Sequence, residues 1–115
     1  MARDAETLRS EYRLLVEELA PFYGGEMPAL REATIYAERH IVRWQTGELN
    51  PPSSVMRELR ELRLLCVEAQ RRRPSWSARK VGKWAAPAMR GMASPTAERN
   101  RSRAAEQMLR CLPAR

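Results

Sequence analysis

The sequence predicts an all-α fold: a three-helix body, a helical hairpin plus a long third helix, with a basic, partly helical C-terminal arm. Three observations lead to it. Apolar residues recur at alternating steps of 4 and 3 in three successive segments, the spacing that gathers side chains on one face of an α-helix. Proline, glycine and an Asn-Pro-Pro run separate those segments. Charge divides the chain after Gln70: residues 1–70 carry 9 Lys+Arg against 12 Asp+Glu, net −3, and residues 71–115 carry 12 against 2, net +10. A mildly acidic scaffold with a strongly basic end is the pattern of a folded body that meets a polyanion.

In the first segment Leu8, Tyr12, Leu15, Leu19 and Phe22 form the stripe. Asp4 suits the N-cap, where a carboxylate accepts an orphan backbone N–H, and Pro21 with Gly24-Gly25 marks the far end. The second segment repeats the steps with Leu30, Thr34, Ala37, Ile41 and Trp44, and has Ala33 beside them. Pro28 fits the first helical position and Gly47 the residue after the last turn. The third follows Asn50-Pro51-Pro52, with Ser53 or Ser54 as cap and Val55, Leu59, Leu62, Cys66 and Ala69 as its seam. Each seam spans only about two heptads, too short to stand alone, so the helices pack on one another or on neighbouring copies at shallow crossing angles. Apolar residues off the seam, Leu14, Val16, Ile35, Val42, Leu64, Leu65 and Val67, widen the apolar surface and point to a homo-oligomer.

The arm, residues 71–115, opens with RRRPSWSARKVGKW, which contains no acidic residue. Pro74 interrupts the third helix, because its ring clashes with the preceding turn and biases Arg73 toward extended backbone. A short helix then starts after Ser77 as N-cap, with Trp76 and Val81 at the spacing of a hydrophobic staple, and Pro87 ends it. Ser94-Pro95 starts a last helix whose apolar side, Ala97, Ala104, Ala105, Met108 and Leu112, is thin enough that it frays unless it packs on a partner.

Phosphates are closely spaced charges, and each Lys or Arg that neutralises one releases condensed counterions. Arginine adds a planar fork that matches phosphate oxygens. The candidate nucleic-acid contacts are therefore Arg71, Arg72, Arg73, Arg79, Lys80, Lys83, Arg90, Arg99, Arg101 and Arg103. Trp76 and Trp84 are candidates for stacking on unpaired bases, although their spacing fits packing of the short helix on the body at least as well.

No catalytic or metal-binding constellation is legible. His40 is the single histidine, Cys66 and Cys111 have no partners at ligand spacing, and Gly24-Gly25 lacks the strand and the Gly-Lys-Ser/Thr of a phosphate loop. No cofactor and no enzymatic activity are predicted. The charged amino end lacks the apolar core of a signal peptide, and no stretch approaches the roughly 18 apolar residues of a spanning helix. A cytoplasmic protein without a membrane partner is the expectation. SARKVGKW and PTAERNRSRAAEQM are separated by more than the turn of a helix-turn-helix, so sequence-specific readout is not predicted.

LRSEYRLLVEELAPFYGGEMPALREATIYAERHIVRW followed by PPSSVMRELRELRLLCVEAQRR resembles the helical hairpin and next helix of some small subunits of tailed-phage DNA-packaging terminases. The resemblance covers about residues 8–73 and consists of helical patterning. It implies a ring-forming, DNA-binding partner of the large terminase motor, with the basic C-terminal part on the DNA; no individual functional residue carries over. The chain departs from many such proteins in lacking a clear N-terminal helix-turn-helix. The expected function is thus a non-enzymatic, oligomeric, DNA-binding packaging subunit, with double-stranded DNA favoured. The alternative is a small helical inhibitor or adaptor, such as a phage-encoded antagonist that docks on a host protein.

Overall fold

A computed structural model describes residues 2–34, 36–91 and 101–113, and every regular element among them is a helix, as the periodicity predicts. In chain order they are α1 (Ala2–Tyr23), α2 (Glu26–Ala33), α3 (Glu38–Thr46), α4 (Ser53–Arg72), α5 (Ala78–Gly91) and α6 (Arg101–Arg110).

The two long helices follow their seams. Tyr12, Leu15 and Leu19 of α1 are buried, and so are Val55, Leu59, Leu62, Cys66 and Ala69 of α4. Val16 and Leu65, which lie off the seams, join them in the core. Across the α1–α4 contact Arg60 bonds Glu11 and Arg63 reaches Glu18 at 3.2 Å. The Arg60 guanidinium holds the Glu11 carboxyl below the usual carboxylate range. Both pairs are well exposed and contribute about 0–1 kcal/mol each, so apolar burial holds the two helices together. Asp4 lies within the first turn of α1, and Pro52, not Ser53 or Ser54, occupies the cap position of α4. Gly24 closes α1 with φ +81°, and Gly25 N–H returns to the carbonyl of Ala20 at 2.9 Å.

The second segment is not one helix. Thr34 is extended (φ −129°, ψ 161°), and the chain resumes as α3 only at Glu38. The cause is local hydrogen bonding: Thr34 Oγ1 donates to the Leu30 carbonyl at 3.1 Å and accepts the Tyr36 N–H at 3.3 Å. A hydroxyl so placed competes with the helical ladder. Pro28 is the third residue of α2, not the first, and costs nothing there because the first amides of a helix have no internal partner. Gly47 ends α3 in the left-handed region at φ 86°, as expected. Ile41 and Trp44 are buried, whereas Ala37 is exposed.

Beyond Gln70 the core continues. Trp76, Val81, Ala85, Ala86 and Met89, then Ala105, Leu109 and Leu112, belong to the same apolar cluster as α1 and α4. The charge division after Gln70 is therefore not a packing division: α5 lies against both α1 and α4, and α6 against α4. α4 ends at Arg72, ahead of Pro74 as predicted, and Ser77 Oγ accepts the Lys80 N–H at 3.2 Å as the cap of α5. Pro87, by contrast, does not end α5, which runs on to Gly91. An interior proline costs about 3 kcal/mol, but Ala85 and Ala86 before it and Met89 after it are all buried. The start predicted at Ser94-Pro95 for the last helix lies outside the described residues.

The two cysteines differ in environment. Cys66 is buried and its thiol is pushed up to about 12 by burial, whereas Cys111 is exposed. Because the thiolate is the reactive form, the native chain is expected to take up a single equivalent of a thiol-reactive dye at neutral pH, at Cys111. Uptake of two equivalents before unfolding would place Cys66 outside the core.

Candidate nucleic-acid interface

Every arginine of the run at the end of α4 has acceptors within the molecule, although Arg71 itself is exposed. Arg71 donates to Glu68 Oε2 from Nε at 3.1 Å and from Nη2 at 2.9 Å. Those bonds hold the Glu68 carboxyl below the usual range. Arg72 Nη2 donates to both oxygens of Glu106 on α6, at 3.2 and 3.0 Å. Arg73 donates to the carbonyls of Arg72, Leu112 and Pro113 at 3.0, 3.2 and 2.9 Å. Arg72 and Arg73 thus tie the C-terminal segment to α4. Two of the run's three cations face carboxylates, and the third faces neutral acceptors that leave its charge in place.

The α5 cations are arranged differently. Arg79 and Lys83 stand one turn apart, and neither makes an ion pair among the described residues. The Arg79 guanidinium lies against Gly24, where a side chain in place of the glycine hydrogen would collide with it. It therefore sits at the C-terminus of α1, the negative end of that helix dipole. Lys80 points elsewhere, its Nζ 4.6 Å from the Trp76 ring centroid. Arg90 bridges to α2, with Nη2 3.0 Å from Glu32 Oε2 and 3.2 Å from the Glu32 carbonyl.

Between the end of α1, α2 and α5 lies a cleft of about 500 Å³ lined by Phe22, Tyr23, Pro28, Arg31, Glu32, Arg79, Gly82, Lys83, Ala86, Pro87 and Arg90. Its back is fixed by Tyr23, whose hydroxyl donates to the Gly82 carbonyl at 3.0 Å and lies 3.9 Å from Cys66 Sγ. Burial pushes that phenol above its ordinary range, so it is a neutral donor. Gly82 itself touches the Phe22 backbone, with no room for a Cβ.

The predicted contacts therefore fall into groups. Arg79, Lys83 and Arg90 share the cleft, Lys80 turns to the Trp76 ring, Arg72 and Arg73 hold the C-terminal segment, and Arg71 pairs with Glu68 on its own helix. Arg103 is exposed on α6. Arg101 begins α6, its side chain outside the described set, and Arg99 lies outside the described residues. Trp76 is 7% exposed and belongs to the core, and Trp84 packs partly buried against it. Arg31 and Glu32 were not anticipated as neighbours of α5. No sequence signal joins them to it, because the meeting of α2 and α5 is set by how both pack on α1.

Among the described residues no three of His, Cys, Asp and Glu gather as metal ligands, and no helix is long and apolar enough to cross a membrane. Comparison of the chain with protein-family models, with curated proteins and with solved structures finds no match.

Proposed function

We propose that the chain is a non-enzymatic nucleic-acid-binding protein that works as a homo-oligomer on double-stranded DNA, in the manner of a small terminase subunit that hands DNA to a packaging motor. The reading rests on one observation: Arg79 and Lys83 of α5 have no carboxylate partner among the described residues, while Lys80 stands beside them on the same helix. Arg79 and Lys83 put two cations on one side of a packed helix, and Lys80, over the Trp76 ring, adds a third on an adjoining side. Such a surface binds phosphates through charge and counterion release without reading bases.

Self-association is supported by Leu14 of α1 and Leu64 and Val67 of α4, each close to half exposed (49%, 47% and 49%). The same residues favour the second reading, an adaptor docked on another protein. Chain mass by light scattering, with and without duplex DNA, separates the two: a monomer indifferent to DNA favours the adaptor.

The charge reading is tested with Arg79→Gln, Lys80→Gln and Lys83→Gln combined, in titrations of duplex, single-stranded DNA and RNA at two salt concentrations. Affinity for every duplex sequence is expected to fall uniformly. The slope of log affinity against log salt is expected to flatten by about 2–3, because each lost phosphate contact removes about 0.9. Unchanged affinity and slope, with an unchanged melting curve, would overturn the proposal.

A further inference from the structure

We infer that the cleft between α1, α2 and α5 is a binding site for a phosphomonoester: a terminal phosphate carried on a small, flat, partly apolar body, as in a nucleotide. Four cations line it, Arg31, Arg79, Lys83 and Arg90, against the single carboxylate of Glu32. Arg90 is committed to Glu32 at 3.0 Å, and Arg31 leans toward Glu38 at 3.8 Å. Among the described residues, that leaves the charges of Arg79 and Lys83 without a carboxylate and open to a ligand. A phosphomonoester carries about −1.5 to −2 near neutral pH, which matches two cations, whereas a diester carries only one charge per phosphate.

The walls favour an end group over a through-running strand. The Arg90–Glu32 bridge joins α5 to α2 and puts a tethered pair across the path of a through-running strand. Phe22, Pro28 and Pro87 present apolar surface around the cations, and the volume falls in the range of about 300–1,000 Å³ that holds small organic ligands. The negative pole of α1 opposes an anion here, and the Arg79 guanidinium seated against Gly24 offsets it. The site rests on the nucleic-acid reading only in sharing Arg79, Lys83 and Arg90 with the predicted contacts; Arg31 and Glu32 stand outside that set.

The same chemistry is offered by a free nucleotide and by the 5′ end of a strand. The full-length protein is titrated with adenosine 5′-monophosphate and with adenosine, following heat and the backbone amide shifts of Gly82 and Ala86. The nucleotide is expected to bind and to shift both amides. Adenosine is expected to bind at least about tenfold more weakly, the cost of one charge-assisted hydrogen bond. Arg31→Gln with Lys83→Gln is expected to weaken the nucleotide by about tenfold or more on the same grounds, with the melting temperature kept, whereas Arg60→Gln, at the α1–α4 contact and outside the cleft, leaves nucleotide binding unchanged. Equal binding of nucleotide and adenosine, or no nucleotide binding at millimolar concentration, overturns the site. In a second arm, 5′-phosphorylated and 5′-hydroxyl tetranucleotides are compared. A preference for the phosphorylated strand over the free nucleotide assigns the strand end, and the reverse order assigns the free nucleotide. Intact duplex binding without nucleotide binding removes this site and leaves the DNA reading standing; nucleotide binding without duplex binding does the opposite.

Discussion

Gly82→Ala is expected to lower the melting temperature by about 10 °C, a loss of about 2–3 kcal/mol. Intrinsic preference points the other way, since alanine is favoured over glycine inside a helix by about 1 kcal/mol. The opposing effect is steric. A Cβ at position 82 would press into the carbonyl oxygen of Phe22 and meet Tyr23 Cε1 at 3.0 Å. A backbone carbonyl cannot rotate aside as a side chain can, so α5 must lift from the end of α1. The Tyr23 hydroxyl bond to the Gly82 carbonyl, 3.0 Å in the native packing, is then stretched as well. Thermal melting followed by circular dichroism reads the sign directly: an unchanged or raised midpoint would mean that α5 does not approach α1 this closely.

Trp76→Ala carries a larger expected loss, about 3–5 kcal/mol, the range for truncating a buried large aromatic side chain. Trp76 is 7% exposed, its ring faces the Lys80 ammonium at 4.6 Å, and its carbonyl accepts from Gln70 Nε2 at 2.8 Å. It anchors the turn between α4 and α5, so its removal loosens the helix that carries Arg79 and Lys83. Melting, together with titration of single-stranded DNA, distinguishes this anchor from a stacking platform. An anchor lowers the midpoint steeply. A platform lowers affinity for unpaired strands while leaving the midpoint in place, and that result would take Trp76 out of the core.

The long helices were legible because their seams repeat without interruption; α4 buries all five residues that the steps of 4 and 3 select, and α1 buries Tyr12, Leu15 and Leu19 with Leu8 and Phe22 partly buried at its ends. Periodicity is blind to side-chain hydrogen bonds, which is why the break at Thr34 was not. Thr34 occupies a seam position and is buried as such, yet its hydroxyl bonds to the Leu30 carbonyl and the Tyr36 amide end the helix there. Pro87 misleads for a related reason. Its effect on an isolated helix is disruptive, but the neighbours that hold α5 in place act through tertiary burial. A signal for that burial is present in Val81, Ala85 and Met89 at steps of 4; alanine weighs little in a hydrophobicity reading although it packs well against a facing helix.

The candidate site was legible as charge and not as geometry. Arg79, Lys80 and Lys83 stand out in a stretch without acids. What each cation faces depends on carboxylates and carbonyls far away in sequence: Glu32 for Arg90, Glu106 for Arg72, Leu112 and Pro113 for Arg73.

That last arrangement makes α6 an internal competitor for the arginine run. An Arg72 engaged by Glu106 is withheld from phosphate, so a strand seeking Arg72 and Arg73 must first displace the C-terminal segment that occupies them, whereas Arg71 is held only by Glu68 of its own helix. Ionic strength weakens both holds but not equally: the carboxylate's is merely screened, whereas the strand's also loses the gain from counterion release.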